Sequence, residues 1–287
     1  MDKILIEKAN VLAEALPYIS KLSGKTIVIK YGGSAILNDE ITKTVLQDVA
    51  ILKIVGINPV LVHGGGPEIN GVLKSLNIES KFHKGLRVTD AETMDVVQMV
   101  LCGKVNKNIT NMLNALGVKA VGISGLDAKI INVEKLNDEF DYGYVGKITK
   151  VNTKLLNVLA NDEYIPVIAS VGSDSFGNSY NINADTFASE IAKNLKAEKL
   201  MFLTDVDGIR SDEKDPNTLI ASITVSQIYD MIKNGKISGG MIPKVEACVK
   251  GIEGGIKRTH IINGTIPHPI MLEIFTDTGI GTMVTAD

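Results

Sequence analysis

The chain has 287 residues, 45% of them hydrophobic, which is enough for a sizeable core in one large domain or two lobes. The formal net charge is -3 and the basic residues are scattered, so no footprint for a nucleic acid is present. Cys102 and Cys248 fit neither a disulfide framework nor a zinc pattern, charges enter too early for a secretion signal, and no apolar run could span a bilayer; a soluble cytoplasmic protein is expected.

In chain order, Ile4 to Leu22 carries apolar residues at helical spacing, interrupted by Pro17. This helix either packs on its own domain or forms an arm against another subunit. Thr26–Ile29 is a mostly β-branched run suited to a strand buried on both faces, expected to stop at Lys30. Tyr31, Gly32, Gly33 and Ser34 then turn the chain. A lysine at a strand end followed by paired glycines suits phosphate: the ammonium is a point charge, and glycine lets backbone N–H groups approach an anion. The same residues also read as a plain strand, a surface lysine and a turn. Asn38 or Asp39 caps a helix to about Val55, closed by Gly56. The first pattern then recurs, because Asn58–Val62 reads as a strand ending in His63-Gly64-Gly65-Gly66-Pro67, with Pro67 placed for a first helical turn. Two such turns on neighbouring strands can face one anionic cleft.

A helix follows to about Leu76, and Ser80–Thr89 reads as a hairpin around Lys84-Gly85. Thr89 or Asp90 opens a helical stretch through Val105, interrupted at Gly103, and a further helix closes at Gly117. Lys119–Gly122 reads as a strand, and Lys129–Val133 with Tyr142–Val151 as a β layer beside the main sheet. Thr153–Leu159 is a helix and Ile165–Ala169 a buried strand. Gly172–Asn183 reads as a long polar loop before a helix over Ala184–Leu195. Lys199–Leu203 is another buried strand, ending in Thr204-Asp205-Val206-Asp207-Gly208. Helices at Val225–Asn234 and Met241–Ile252, a strand at Thr259–Ile262, a short helix at His268–Phe275 and a closing segment Gly279–Val284 complete the pattern. Strands alternating with helices predict the α/β class, with three layers and a mainly parallel central sheet.

Three familiar signatures are missing or incomplete. There is no G-x-x-x-x-G-K-[ST], which excludes a P-loop, and no G-x-G-x-x-G, which argues against a dinucleotide site. His63-Gly64-Gly65-Gly66 resembles the oxyanion loop of lipases and esterases, but no G-x-S-x-G nucleophile accompanies it. What remains is a set of anion-binding pieces: Lys30 with Gly32 and Gly33, the run Gly64-Gly65-Gly66, and Lys244 after Gly239-Gly240. Arg87 in the hairpin could clamp a carboxylate with its planar fork. Asn181, Asn183 and Asp185 cluster at a helix entrance, where Asn183 or Asp185 could equally be a cap.

IVIKYGG, LVHGGGPEIN, KGLRVTD, YNINAD, LTDVDGI and ISGGMIPKVEA occur in this order across nearly the whole chain. Together they resemble the amino acid kinase family, and within it the members that phosphorylate N-acetyl-L-glutamate in arginine biosynthesis. The resemblance implies a three-layer αβα sandwich. Residues 1–196 would form an N-terminal lobe for the acyl substrate and for oligomerisation, with 1–22 as an arm, and 197–287 a C-terminal lobe for ATP with Mg2+. It implies transfer of the γ-phosphoryl group to the side-chain carboxylate. By match to the family, Lys30 stabilises the transferring group, Lys244 the leaving β-phosphate side, and Asp185 orients both ammonium groups. Gly33 and Gly65 supply N–H donors, with Gly32 in the same phosphate turn. Gly65, Gly66, Arg87 and Asn181 meet the acyl substrate.

For ATP the matching residues are Asp205, Val206, Asp207, Gly208, Ile209, Arg210, Lys236, Ile237 and Ser238. Mg2+ is expected to be held mainly by phosphates and water, so no protein metal ligand is assigned. The N-terminal helix resembles the extension of arginine-inhibited hexameric members, trimers of dimers, with Tyr18, His260, Glu273 and Gly279 matching their L-arginine site. His260 could instead be satisfied locally and Glu273 be a helix-face charge. Two rival readings stand beside this one: a kinase of the same fold acting on glutamate, aspartate or an aminoadipate derivative, and a non-catalytic arginine sensor. No nucleic-acid or membrane partner is expected.

Overall fold

The computed structural model describes residue 10 and residues 13–32, 38–212 and 215–287; Gly33 and much of the expected N-terminal arm lie outside them. Helix α1 (Leu16–Leu22) carries Pro17 in its first turn. A turn at Ala15 separates it from the helical residues Ala13 and Glu14, so the interruption expected near Pro17 is present, and Pro17 sits in the new helix's first turn, where its missing N–H leaves no bond unmade. Strand β1 (Thr26–Tyr31) does not stop at Lys30 but runs on to Tyr31. The reason lies in its partner: Lys30 and Tyr31 stay in register with Val62 and His63 of β2 (Asn58–His63). Between these strands lies α2 (Asp39–Ile54), capped by Asn38, whose side chain accepts from Glu40 N and Ile41 N.

Helix α3 (Gly66–Ser75) starts in the triple-glycine run. The hairpin β3 (Lys81–His83) and β4 (Leu86–Val88) turns through Lys84 and Gly85, both at positive φ. Asp90 caps α4 (Ala91–Gln98), which passes into a π-helical stretch over Met99–Val105 and then into α5 (Asn106–Ala115). Gly103 therefore marks a widening of one continuous helical path, not a break. Then come β5 (Ala120–Ser124), β6 (Ile131–Lys135), β7 (Gly146–Val151), α6 (Lys154–Asn161) and β8 (Ile165–Ala169).

The expected polar loop Gly172–Asn183 is in fact largely a hairpin, β9 (Val171–Ser173) and β10 (Ser179–Asn181). Its turn is organised by Asp174, whose carboxylate accepts from Phe176 N, Asn178 N and the Asn178 side chain. The rest follows the expectation: α7 (Ala184–Asn194), β11 (Lys199–Thr204), a short unforeseen β12 (Ser222–Thr224), α8 (Val225–Lys233), α9 (Met241–Glu253), β13 (Thr259–Asn263), α10 (Pro269–Ile274) and β14 (Thr282–Thr285).

Eight strands form the central sheet in the order β12-β14-β13-β11-β1-β2-β8-β5, and β10-β9-β6-β7 form a second sheet. The central sheet is parallel from β13 to β5; β14 runs against β13 and pairs parallel with β12. Alternation along β1 sends Ile27 and Ile29 to a core with Val45, Val49 and Ile109 from α2 and α5. Val28 points to the opposite core, with Phe187 and Ile191 of α7 and Val245 and Val249 of α9. This is the expected three-layer αβα sandwich. Each such apolar side chain contributes roughly 1.5–3 kcal/mol on burial, so the glycine turns that follow β1 and β2 stand on well-buried central strands.

Candidate active site

Lys30 and His63 end neighbouring strands, so the turns after them lie side by side. Lys30 lies on the Val28 face, and its Nζ pairs with Asp185 Oδ1 at 2.9 Å. Asp185 stands in the first turn of α7, where the helix dipole favours an acidic side chain. The cap itself is Asn183, which accepts from Asp185 N and Thr186 N, so the Asp185 carboxylate is left to hold the lysine. A cavity of about 190 Å³ is lined by Lys30, Gly32, Asp185, Thr204, Asp205 and Lys244. The structure thus brings the three expected catalytic side chains to one cavity. Lys244, from the first turns of α9, makes no ion pair among the described residues, so Asp185 contacts one of the two ammonium groups it was expected to orient.

On one side opens a cavity of about 270 Å³, lined by Gly64, Gly65, Gly66, Arg87 and Asn181 as well as Lys30 and Asp185. Arg87 is buried; its guanidinium donates to Ser80 Oγ and, at 3.4 Å, to Gly66 O, and lies 4.7 Å from the centre of the Phe82 ring. Burial pulls its pKa down, but a guanidinium stays charged. No carboxylate among the described residues pairs with it, which leaves a desolvated cation facing the cavity, a favourable seat for an anionic group. Asn181 Nδ2 donates to Thr89 Oγ1 at 3.3 Å, which ties β10 to the end of the hairpin.

On the other side, Asp205, Val206, Asp207, Gly208, Ile209, Arg210, Lys236, Ile237 and Ser238 all line a cavity of about 390 Å³. Met241 and Asn263, which the motifs did not single out, line it too. Asn263 and Arg210 hold the Asp207 carboxyl below its ordinary range, with contacts of 2.8 and 2.6 Å. Gly208 sits at φ +152, and a Cβ there would stand 2.5 Å from Thr282 Oγ1, so only glycine fits.

Tyr18, His260, Glu273 and Gly279 line a separate cavity of about 240 Å³, together with Lys199 and Arg258. His260 Nδ1 donates to Glu273 Oε1 at 2.6 Å, and Nε2 accepts from Lys199 Nζ at 3.1 Å. Glu273 Oε2 accepts from Ile280 N and Gly281 N. Burial pushes the Lys199 ammonium down to about 8. His260 is thus satisfied by its neighbours, as the local reading of it expected, whereas Glu273 is buried against His260 and two backbone N–H groups and is not a helix-face charge; both still border the cavity.

A family model described as the amino acid kinase family matches residues 25–263. The chain belongs to that family. The amino acid kinase proteins it matches include an acetylglutamate kinase from Caldicellulosiruptor saccharolyticus, 57% identical over 99% of this chain and 98% of that one. Another acetylglutamate kinase, from Desulforamulus reducens, is 56% identical over 98% of this chain and 99% of that one. The shared name of these relatives denotes a phosphotransferase with a carboxyl group as acceptor, and this chain is an enzyme of that class. Among solved structures, an N-acetylglutamate synthase from Neisseria gonorrhoeae complexed with coenzyme A and N-acetyl-glutamate superposes with a TM-score of 0.86 at 26% identity. That match covers 97% of this chain and 63% of the synthase chain.

Within this amino acid kinase sheet, the motifs did not reveal what supports the triple-glycine run. His63 is fully buried; its Nδ1 lies 2.9 Å from Gly64 O and its Nε2 3.0 Å from Asn106 Nδ2. Asn106 is 43 positions away and carries no motif, so only its spacing from the Gly103 irregularity could have pointed to it.

Proposed function

We propose that the protein is an acetylglutamate kinase that transfers the γ-phosphoryl group of ATP to the side-chain carboxylate of N-acetyl-L-glutamate. The observation that carries this reading is the Lys30–Asp185 pair at the meeting point of two cavities, with Lys244 across from it. A carboxylate is already a nucleophile, so the reaction needs no strong base. The obstacle is bringing two anions together and stabilising the charge on the group in flight, which positioned cations and N–H donors do. Lys30 meets the transferring group, and Lys244 the leaving β-phosphate side. The Gly33 and Gly65 N–H groups donate to phosphoryl oxygens, Gly33 from the phosphate turn it shares with Gly32 and Gly65 from the triple-glycine run beside it. Arg87 pairs with the substrate α-carboxylate, and Asn181 binds the same end. Residues 197–287 hold the nucleotide through the cavity around Asp207 and Lys236, and residues 1–196 hold the acyl substrate.

Mg2+, when bound with the nucleotide, would neutralise phosphate charge. Asp207 is engaged by Arg210 and Asn263, and among the described residues no group of three His, Cys, Asp or Glu side chains could hold a metal. Such an ion would be carried mainly by phosphates and water.

The cavity of Tyr18, His260, Glu273 and Gly279 supports a second part of the reading: L-arginine binds there and inhibits, in a cytoplasmic hexamer built as a trimer of dimers. Glu273 supplies the negative charge that a guanidinium would seek. A coupled assay with MgATP tests both parts. Acetylglutamate is expected to be turned over well above glutamate, aspartate or an aminoadipate derivative, with arginine raising the half-saturation for acetylglutamate. Absence of turnover with acetylglutamate overturns the substrate; activity indifferent to arginine overturns the inhibition.

A further inference from the structure

His63 lies beneath the triple-glycine run and touches no cavity named above, yet its ring is placed to set the direction of a peptide that does. Asn106 Nδ2 lies 3.0 Å from His63 Nε2, 3.1 Å from Ile123 O and 2.9 Å from Val167 O. Two of these neighbours are carbonyl oxygens, so the amide must present its nitrogen to them; the flipped amide would set oxygen against oxygen. An amide nitrogen only donates. His63 Nε2 is therefore the acceptor, and the ring proton sits on Nδ1, from which it is donated to Gly64 O at 2.9 Å.

A trans peptide points its C=O and the following N–H in opposite directions. With Gly64 O drawn down to the ring, the Gly65 N–H is turned away from it, toward the cavity that Gly65 lines. Among the described residues that N–H makes no hydrogen bond, and Gly65 precedes the first turn of α3. The chain is held from the other side by the π-helical stretch, whose Leu101 and Val105 would lie 2.8 and 3.2 Å from a Cβ on Gly65. A π-helical turn is uncommon and frequents functional sites; here it leads directly into Asn106.

We infer that His63 and Asn106 are positioning residues: Asn106 fixes the Nδ1–H tautomer of His63, and His63 fixes the Gly64–Gly65 peptide with its N–H aimed at the anion. This rests on the reading of Gly65 as a phosphoryl-oxygen donor. Burial drives the His63 pKa down to about 4, so the ring is neutral under working conditions and acts as a hydrogen-bond relay, not as a charge.

Three substitutions and one spectrum test it. In His63→Asn the shorter amide can still donate where Nδ1–H did; in His63→Gln the amide reaches toward Asn106 and the Gly64 bond is lost. We expect H63Q to lower kcat roughly 10- to 100-fold, with KM for acetylglutamate changed less than threefold, and H63N to restore most of it. Asn106→Leu, which removes the donor to Nε2 and leaves the tautomer unfixed, is expected to lower kcat in the same direction as H63Q. Equal kcat losses in folded H63Q and H63N, or an undiminished kcat in H63Q, overturn the inference. The imidazole 15N spectrum of the wild type needs no substrate: a neutral Nδ1–H ring at pH 6–8 is expected, and an Nε2–H ring overturns the inference even if acetylglutamate proves not to be the substrate.

Discussion

The ends of β1 and β2 are built from the same pattern, a buried strand run into glycines, yet they present opposite things to the cavity. At the end of β1 a charged side chain reaches in: Lys30, held by Asp185. At the end of β2 the backbone faces in, and the titratable side chain, His63, is pressed underneath. The glycines differ in purpose accordingly. A Cβ on Gly32 would meet Lys30 Nζ only at 3.4 Å, an ordinary contact, whereas one on Gly65 would stand 2.8 Å from Leu101; Gly65 has no Cβ so that Leu101 can close behind a peptide. A reaction between two anions needs a mobile point charge and fixed dipoles, and one strand end supplies each.

The sharpest way to break this comparison is Lys30→Ala. It should lower kcat about 10³-fold while the melting temperature changes by no more than a few degrees; a variant keeping more than about a tenth of wild-type kcat would show that the β1 end is not the charged half. A smaller effect should come from two strands beyond β2. Gly122 on β5 would place a Cβ 2.2 Å from Asn106 Oδ1 and 2.5 Å from Thr110 Oγ1. Gly122→Ala should therefore push Asn106 off His63, lowering stability by roughly 1–3 kcal/mol and kcat by about tenfold. Thermal melting and turnover read together decide it: a lowered melting temperature with unchanged kcat means the glycine run tolerates a displaced support.

The smallest effect is in acid. The His63 pKa falls from 6.5 to about 4 on folding, so between those values the unfolded chain binds the extra proton. Stability conferred by keeping the ring neutral is complete above pH 6.5 and declines as pH falls toward 4, by about 1 kcal/mol between pH 6.5 and 5.5. H63Q lacks this slope, and the carboxylates common to both proteins cancel in the difference. Urea unfolding across that range gives the slopes; identical ones would mean the ring is not buried neutral.

Much of the fold was legible because it rests on local chemistry. Asn38 and Asp90 are caps, Lys84-Gly85 takes the positive φ a tight turn demands, and the runs over β1, β2, β8 and β11 have the unbroken apolar character of buried parallel strands. Lys30, Asp185 and Lys244 were legible only through motifs, since 155 positions separate the ion pair (185 − 30) and spacing says nothing at that range. The β9–β10 hairpin was hidden because its strands are three residues each and its turn, Phe176 apart, is made of polar residues and glycine. Strand β1 looked shorter than it is because a lysine reads as a strand end, while pairing with β2 carries it on. Asn106 and Lys199 were invisible for a deeper reason. Each is a polar residue made useful by burial against a histidine from another element. That is a property of packing, which no local pattern encodes.

The sheet order near β12 has a consequence for synthesis. Strand β14 lies between β12 and β13 although it follows both in the chain. While the nascent polypeptide is still emerging, β12 therefore has no neighbour in the central sheet, and the margin of the molecule next to the cavity around Asp207 and Lys236 cannot close until Thr285 has left the ribosome. Completion of this sheet is thus gated by β14, and a ribosome stalled before that point would carry the strands from β1 to β13 beside an unpaired, aggregation-prone edge.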